Sequence, residues 1–254
     1  MARTDRQRPA VLGDGRALAE QAISAHGGLG AWEQAGEVVV KLSSGGFAFA
    51  SKLQGHAVRG VDARVATTGQ RVLFEPYPSA GHRGLLDEDG SVRIETVASE
   101  VVQARQTPRA AFGDLRHRLW WDRLDILYFG TYAMWTYVSA PFVFLRDGYR
   151  LQELEPWEER GQRWRRLSVT FPQGVHTHCR EQIFYIDEQG LIRRHDYTAE
   201  PFGEWARAAH YCFDHRAFGG LLLPTRRLVF PRRADNRPRS RPRLVWIEVS
   251  EPAR

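Results

Sequence analysis

Val169–Phe230 reads VTFPQGVHTHCREQIFYIDEQGLIRRHDYTAEPFGEWARAAHYCFDHRAFGGLLLPTRRLVF. Apolar and polar residues alternate through it, and two short turn signals divide it, so it predicts two antiparallel hairpins. The first turns at Asp187-Glu188-Gln189-Gly190. The simplest register pairs Ile186 with Leu191, which sets Gln182 opposite His195 and Arg180 opposite Tyr197. Successive side chains point to opposite faces. One face then carries His178, Arg180, Gln182, Phe184, Arg193, His195 and Tyr197. The other carries Cys179, Glu181, Ile183, Tyr185, Arg194, Asp196 and Thr198. A slip of one residue would exchange them. The second hairpin turns at Gly219-Gly220. It groups His210, Cys212 and Asp214 with Thr225 and Arg227, and His215 with Arg226 on the opposite face.

This is an unusual load of ionisable groups for a sheet. In the expected register Glu181 and Asp196 are directly opposed. Two carboxylates so placed repel unless Arg194 bridges them or they share a proton, which would raise one pKa. An imidazole beside a phenol, as His195 is to Tyr197 near His178, is a proton-transfer pair, and Arg180 would hold a developing negative charge. The alternative is structural: the same groups satisfy one another's hydrogen bonds. His176 and His178 form an HxH pair that would need His195 or His210 to complete a metal site. With no HExxH and no fixed carboxylate ligand, no metal is predicted. The chain also lacks a GxSxG elbow, a P-loop and a GxGxxG following a strand, so triad and nucleotide chemistry are disfavoured and no cofactor is expected.

The 254 residues suit a single β-rich domain, residues 1–254, able to bury its core without a disulfide or metal. Cys179 and Cys212, the only cysteines, read as small buried hydrophobes. The formal charge is +6, and Lys41 and Lys52 are the only lysines. The densest basic run, Arg226–Arg243, is broken by three prolines and lacks interleaved aromatics. It reads as a solvated loop between late strands, not a nucleic-acid surface. The first 13 residues form a charged arm expected to be disordered, without a secretory signal, and the expected location is cytoplasmic.

Residues 14–30 predict a helix capped by Asp14 and stopped by Gly27-Gly28, with Trp32 in the turn beyond. Short strands follow at Val38–Leu42, Phe47–Leu53, Val61–Thr67, Val72–Glu75, Gly84–Leu86 and Val92–Thr96, with a short helix from Pro108. Residues 120–145 form an apolar insertion. Its length approaches the roughly 20 residues of a bilayer span, but Gly130, Pro141 and several hydroxyls favour an internal helix plus a short strand, with no stable membrane insertion. Its rings either fill the core or line a ligand cavity. Trp120, Trp121, Tyr128, Tyr132, Trp135, Phe142 and Phe144 are the expected lining, with His210 and Arg226 as polar contacts. Strands resume at Tyr149–Leu154 and Arg163–Phe171, and Leu244–Val249 ends the sheet.

Two parts of the chain together resemble the LolA/LolB-like, or outer-membrane lipoprotein carrier-like, fold family. AISAHGGLGAW leading into EVVVKLSSGG resembles the opening of such domains. EQIFYIDEQGLIRRHDY followed by CFDHRAFGGLLLPTRRLVF resembles their closing hairpins. The THCREQ, RRHDYTAE and PTRR segments are also similar to those of uncharacterised cytoplasmic bacterial proteins. The resemblance implies a mainly β, α+β fold: a highly curved antiparallel sheet or unclosed barrel. An N-terminal helix and the apolar insertion would cover its concave face, where family members hold acyl chains or other apolar ligands. The chain departs from the family in lacking a lipobox cysteine and in its polar late strands.

Two functions follow as expectations. In the first, the half-barrel encloses an apolar small molecule and acts as a cofactor-independent cyclase or isomerase. His178, Arg180, Glu181, His195, Asp196 and Tyr197 would be its acid–base and charge-stabilising groups. In the second, it is a non-catalytic carrier or sensor of a hydrophobic ligand or lipid. A metal-dependent enzyme and a polyanion-binding module rank below both. Which hairpin face meets the cavity decides between them.

Overall fold

The computed structural model describes residues 9–54 and 58–252. Among them, fourteen antiparallel strands form one sheet. These are β1 (Val11–Gly13), β2 (Glu37–Gly45), β3 (Val58–Ala66), β4 (Val72–Glu75), β5 (His82–Leu86), β6 (Val92–Thr96) and β7 (Val101–Arg105), then β8 (Arg150–Glu159), β9 (Gln162–Thr170), β10 (Glu181–Ile186), β11 (Ile192–Thr198), β12 (Arg207–Phe218), β13 (Leu221–Pro231) and β14 (Val245–Ser250). Two meanders, β2 to β7 and β8 to β14, join where β14 pairs with β2. β1 lies outside β8, and β7 is the other edge, so the sheet stays unclosed. In β2 the alternation is plain: Val38, Val40 and Leu42 are buried and the residues between them are not.

Part of the expected disordered arm is ordered. Val11 and Gly13 pair with Leu154 and Glu153, while residues 1–8 of that arm lie outside the described residues. The expected single helix is two, α1 (Arg16–Ala25) and α2 (Gly28–Ala35). α1 buries Leu18, Ala19, Ala22 and Ile23 along one face. Asp14 accepts from the Arg16 amide at 3.0 Å, but the cap position itself is Gly15. Gly27 breaks the pair at φ 116°, where a Cβ would lie 2.4 Å from the Gly220 carbonyl oxygen. Trp32 sits within α2 and stacks on Phe142 at 4.7 Å.

Phe47–Ala50, expected to be a strand, forms a short helix, α3. The chain turns out of the sheet at Gly46, φ 132°, where Ala48 donates to the Leu244 carbonyl at 2.9 Å. The helix expected at Pro108 is two short pieces, α4 (Pro108–Ala111) and α5 (Leu115–Leu119). The expected strand after the apolar helix is a series of turns. Pro141 cannot donate to a ladder there.

α6 (Arg123–Ser139) organises the rest. Asp122 and Asp125 form a reciprocal capping box at its start. Beyond Arg123 every residue is buried except Gly130, which is only partly so. A helix apolar all round has to be enclosed. The sheet encloses it: α6 packs on β3 to β7 on one side and reaches β11 and β12 on the other. Among the described residues no helix is long and apolar enough to cross a membrane. The β3–β4 turn ties the two sides together over α6. Gln70 exchanges two hydrogen bonds with the His176 backbone at 2.6 and 2.8 Å, and Trp135 Nε1 donates to the Gly69 carbonyl.

Candidate functional site

The observed register of the first hairpin differs from expectation by two residues. Phe184 pairs with His195, Ile183 with Asp196, and Tyr185 with Arg194, with a bulge between Tyr185 and Ile186. The Asp187 carboxylate sets this turn by accepting from the amides of Gln189 and Leu191 at 3.0 and 2.9 Å. An even slip changes partners but keeps each side chain on its face. The His/Tyr face therefore survives, and it points inward at α6.

There it forms a buried chain of rings. Tyr132 and Tyr137 hydroxyls lie 3.2 and 2.7 Å from the two nitrogens of His178. Tyr137 also meets the Tyr197 hydroxyl at 3.2 Å, and Tyr197 meets His210 Nδ1 at 3.4 Å. His195 pairs with Gln182, and His176 with the Tyr128 hydroxyl at 2.7 Å. His178 stacks on Tyr197, and His195 on Phe184. Burial pushes His178, His195 and His210 well below the usual imidazole range and Tyr132 and Tyr197 well above the usual phenol range. Tyr128 is pushed up to about 12, again by burial. At neutral pH these groups are uncharged. Both histidines of the HxH pair are held by tyrosines, and among the described residues no three His, Cys, Asp or Glu side chains gather as a metal site.

The other face carries a separate network. Arg194 donates from Nε and Nη2 to both oxygens of Asp196 at 2.7 and 2.8 Å, and from Nη1 to Glu159 at 2.7 Å. Tyr185 donates to Asp196 at 2.8 Å. The loop after β13 closes over the pair: the Asn236 carbonyl accepts from Arg194, and Arg232 lies 3.4 Å from Asp196. The basic run is thus fastened to the sheet rather than solvated throughout. Glu181 does not oppose Asp196. It pairs with Thr170 of β9 and is exposed, as is Arg180. The expected carboxylate pair is not assembled, because the longer turn carries Glu181 past Asp196.

The second hairpin turns at Gly219-Gly220 as expected. Asp214, with φ 56°, leaves the alternation and pairs with Arg226 at 2.8 Å, while His215 packs edge-on against His26. Cys212 and Arg227 do share the inner face, where Arg227 donates to the Tyr137 carbonyl at 2.8 Å. Both cysteines are buried free thiols.

The aromatic residues expected to line a cavity are mostly core. Trp121 Nε1 bonds the His117 carbonyl, Phe144 packs on Phe184 at 4.7 Å, and Phe142 on Trp32. Trp120 is partly exposed outside it. The chain's own helix occupies the space that the insertion was expected to lid.

An open cleft lies beside this core. It has a volume of roughly 340 Å³ and runs between α3, the 199–206 loop and the ends of β12, β13 and β14. Phe129, Tyr197 and Phe202 form its deeper wall, and Phe47 and Trp205 its mouth. Trp205 is 79 % exposed and Phe47 57 %. Arg207, Arg232, Arg239 and Arg241 also line it, and no carboxylate does. Of the expected catalytic residues only Tyr197 borders this cleft. Sequence reasoning missed Phe47, Trp205, Arg239 and Arg241. The one available signal was Trp205, a large aromatic set in a Gly- and Glu-containing turn. A larger hollow of roughly 790 Å³ is open and of mixed charge, and its Arg226 is already paired with Asp214.

No family model matches the sequence, and no curated protein matches it. Solved structures are similar along nearly the whole chain. A DUF1329 family protein from Desulfovibrio piger is 14 % identical with a TM-score of 0.51, covering 94 % of this chain and 92 % of that one. A LolA superfamily protein from Nitrosomonas europaea is 11 % identical at 0.50 with the same coverage. A putative outer membrane lipoprotein-sorting protein domain from Vibrio parahaemolyticus is 9 % identical at 0.52, covering 92 % and 89 %. With an unclosed antiparallel sheet wrapped around its helical insertion, the chain has the LolA-like fold.

Proposed function

We propose that this chain is a non-catalytic binder or carrier of an apolar, lipid-like small molecule, and that the ligand sits in the cleft mouthed by Trp205 and Phe47. The observation that carries this reading is an open, largely apolar cleft with aromatic rings in its wall and mouth, next to a half-barrel already filled by α6. A concave apolar site with a few polar groups at its edge is the usual form of a small-molecule site. An exposed Trp at its mouth offers contact area at little entropic cost. The similarity in fold to the putative outer membrane lipoprotein-sorting protein domain from Vibrio parahaemolyticus supports the same ligand class.

The cyclase or isomerase reading has one observation in its favour: Tyr197 borders the cleft and its hydroxyl joins the buried histidine chain. Against it, the histidines are buried and held neutral, whereas an efficient acid or base titrates near the working pH.

The test is a titration of purified protein with the uncharged fluorophore N-phenyl-1-naphthylamine. Saturable enhancement in the wild type, weakened at least about tenfold by Trp205→Ala, supports the reading; a hot-spot aromatic is worth about 2 kcal/mol or more. No saturable binding, or equal binding by the variant, would sink it.

A further inference from the structure

The cleft's charge is as specific as its apolar wall. Four arginines line it with no carboxylate among them. Arg232 has its charge engaged, since it lies 3.4 Å from Asp196 and donates to the Asn236 side chain at 2.5 Å. Arg239 and Arg241 are exposed, and among the described residues neither is paired with a carboxylate. Several arginines outside the cleft are matched by carboxylates, one of them fully buried. Arg226 has Asp214, Arg109 has Glu200, and Arg194 has Asp196 and Glu159. Of the acids in the loop bordering the cleft, Glu200 is taken by Arg109, and Glu204 does not line it.

Two unmatched guanidiniums beside an apolar slot ask for a ligand with an apolar body and an anionic end. Arginine presents paired N–H donors that match a carboxylate in geometry and charge. The geometry points to a single-chain anionic amphiphile, a free long-chain carboxylate, with its tail between Trp205, Phe47 and Phe129 and its head on Arg239 and Arg241. The concave shape favours a free molecule over a bilayer surface. A bilayer would meet the exposed rim, but it would leave the deeper wall at Phe129 and Tyr197 unused. Phe129 and Tyr197 are both nearly fully buried, so a tail reaching them completes an apolar surface that is already formed.

This inference rests on the cleft being the ligand site, and a competition experiment separates the two. The full chain is loaded with N-phenyl-1-naphthylamine, and the probe is displaced with tetradecanoate or tetradecanol, both kept monomeric. Tetradecanoate is expected to compete at least about tenfold better than the alcohol, the scale of hydrogen bonds to a charged group. The Arg239→Gln, Arg241→Gln double variant is expected to bring the ratio of acid to alcohol competition, each measured against that variant's own probe affinity, down to about one. Raising the salt should shrink the preference as well. Equal competition by acid and alcohol in the wild type would overturn the anionic head while leaving the apolar site intact. Absence of probe binding would overturn both. Binding to anionic phosphatidylglycerol vesicles without displacement by monomeric tetradecanoate would overturn it in favour of a membrane surface.

Discussion

The rings of His178 and Tyr197 stack at 4.0 Å with 7° between their planes, pressed between the late strands and α6. An imidazole in that position has no water to share a charge with. The imidazoles and phenols of the inner face are therefore held neutral beside the Arg227 guanidinium, and this has a consequence for pH.

His178, His195 and His210 have folded-state pKa values well below the unfolded value of about 6.5, each first because of burial. His26 and His215 are lowered to about 4 for the same leading reason. A lowered imidazole means that the unfolded chain binds more protons. The stability is complete above about pH 6.5 and is lost as the pH falls below it, by up to about 1.4 kcal/mol per pH unit for each such histidine. Urea midpoints should therefore be nearly level above about pH 7 and fall from about pH 6.5 to about pH 5. A flat profile over that window would show that these rings are hydrated in the folded protein.

The Arg194–Asp196 pair is fully buried. Arg194→Ala removes the bidentate partner of the buried Asp196, leaving it Arg232 at 3.4 Å and the Tyr185 hydroxyl, and should cost about 3 kcal/mol by urea unfolding. Arg226→Ala breaks an exposed pair and should cost less than about 1 kcal/mol. Similar losses at both sites would mean that the outer network is not sealed by the loop carrying Asn236.

Gly27→Ala forces a Cβ against the Gly220 carbonyl at a backbone angle that L-residues avoid, and should destabilise by more than about 1 kcal/mol. At Gly161, φ 74° with open space beyond, the same change meets only the backbone penalty. The difference between the two thermal midpoints reads out the close approach of the α1–α2 corner to the β12–β13 turn.

Trp121 and Trp205 separate core from site. Trp121→Ala removes a buried ring and should cost about 3–5 kcal/mol. Trp205→Ala should change stability by no more than about 0.5 kcal/mol while weakening ligand binding. A strongly destabilised Trp205→Ala protein would make that ring structural.

Strand parity explains why so much of the sheet could be read in advance. Gln182, His195 and Tyr197 belong to one face whatever even register the hairpin takes, and that face meets α6. The register itself depended on one side chain: Asp187 captures two amides and lengthens the turn. Trp120–Leu145 announced a buried helix by being apolar all round, but not that the helix would fill the half-barrel. The alternating FAFA of α3 reads as a strand until Gly46 and the 244 backbone turn it away. The cleft was out of reach because it is tertiary. Phe47 comes from α3 and Trp205 and Arg241 from two separate loops, and no local pattern says that they meet.

The proposed ligand site is the Trp205 cleft and not the half-barrel interior. A crystal structure of the chain with a long-chain carboxylate brominated near its tail end tests this directly. An anomalous bromine peak is expected between Phe129 and Trp205. A peak against α6 under the sheet, or none at saturating ligand, would contradict it.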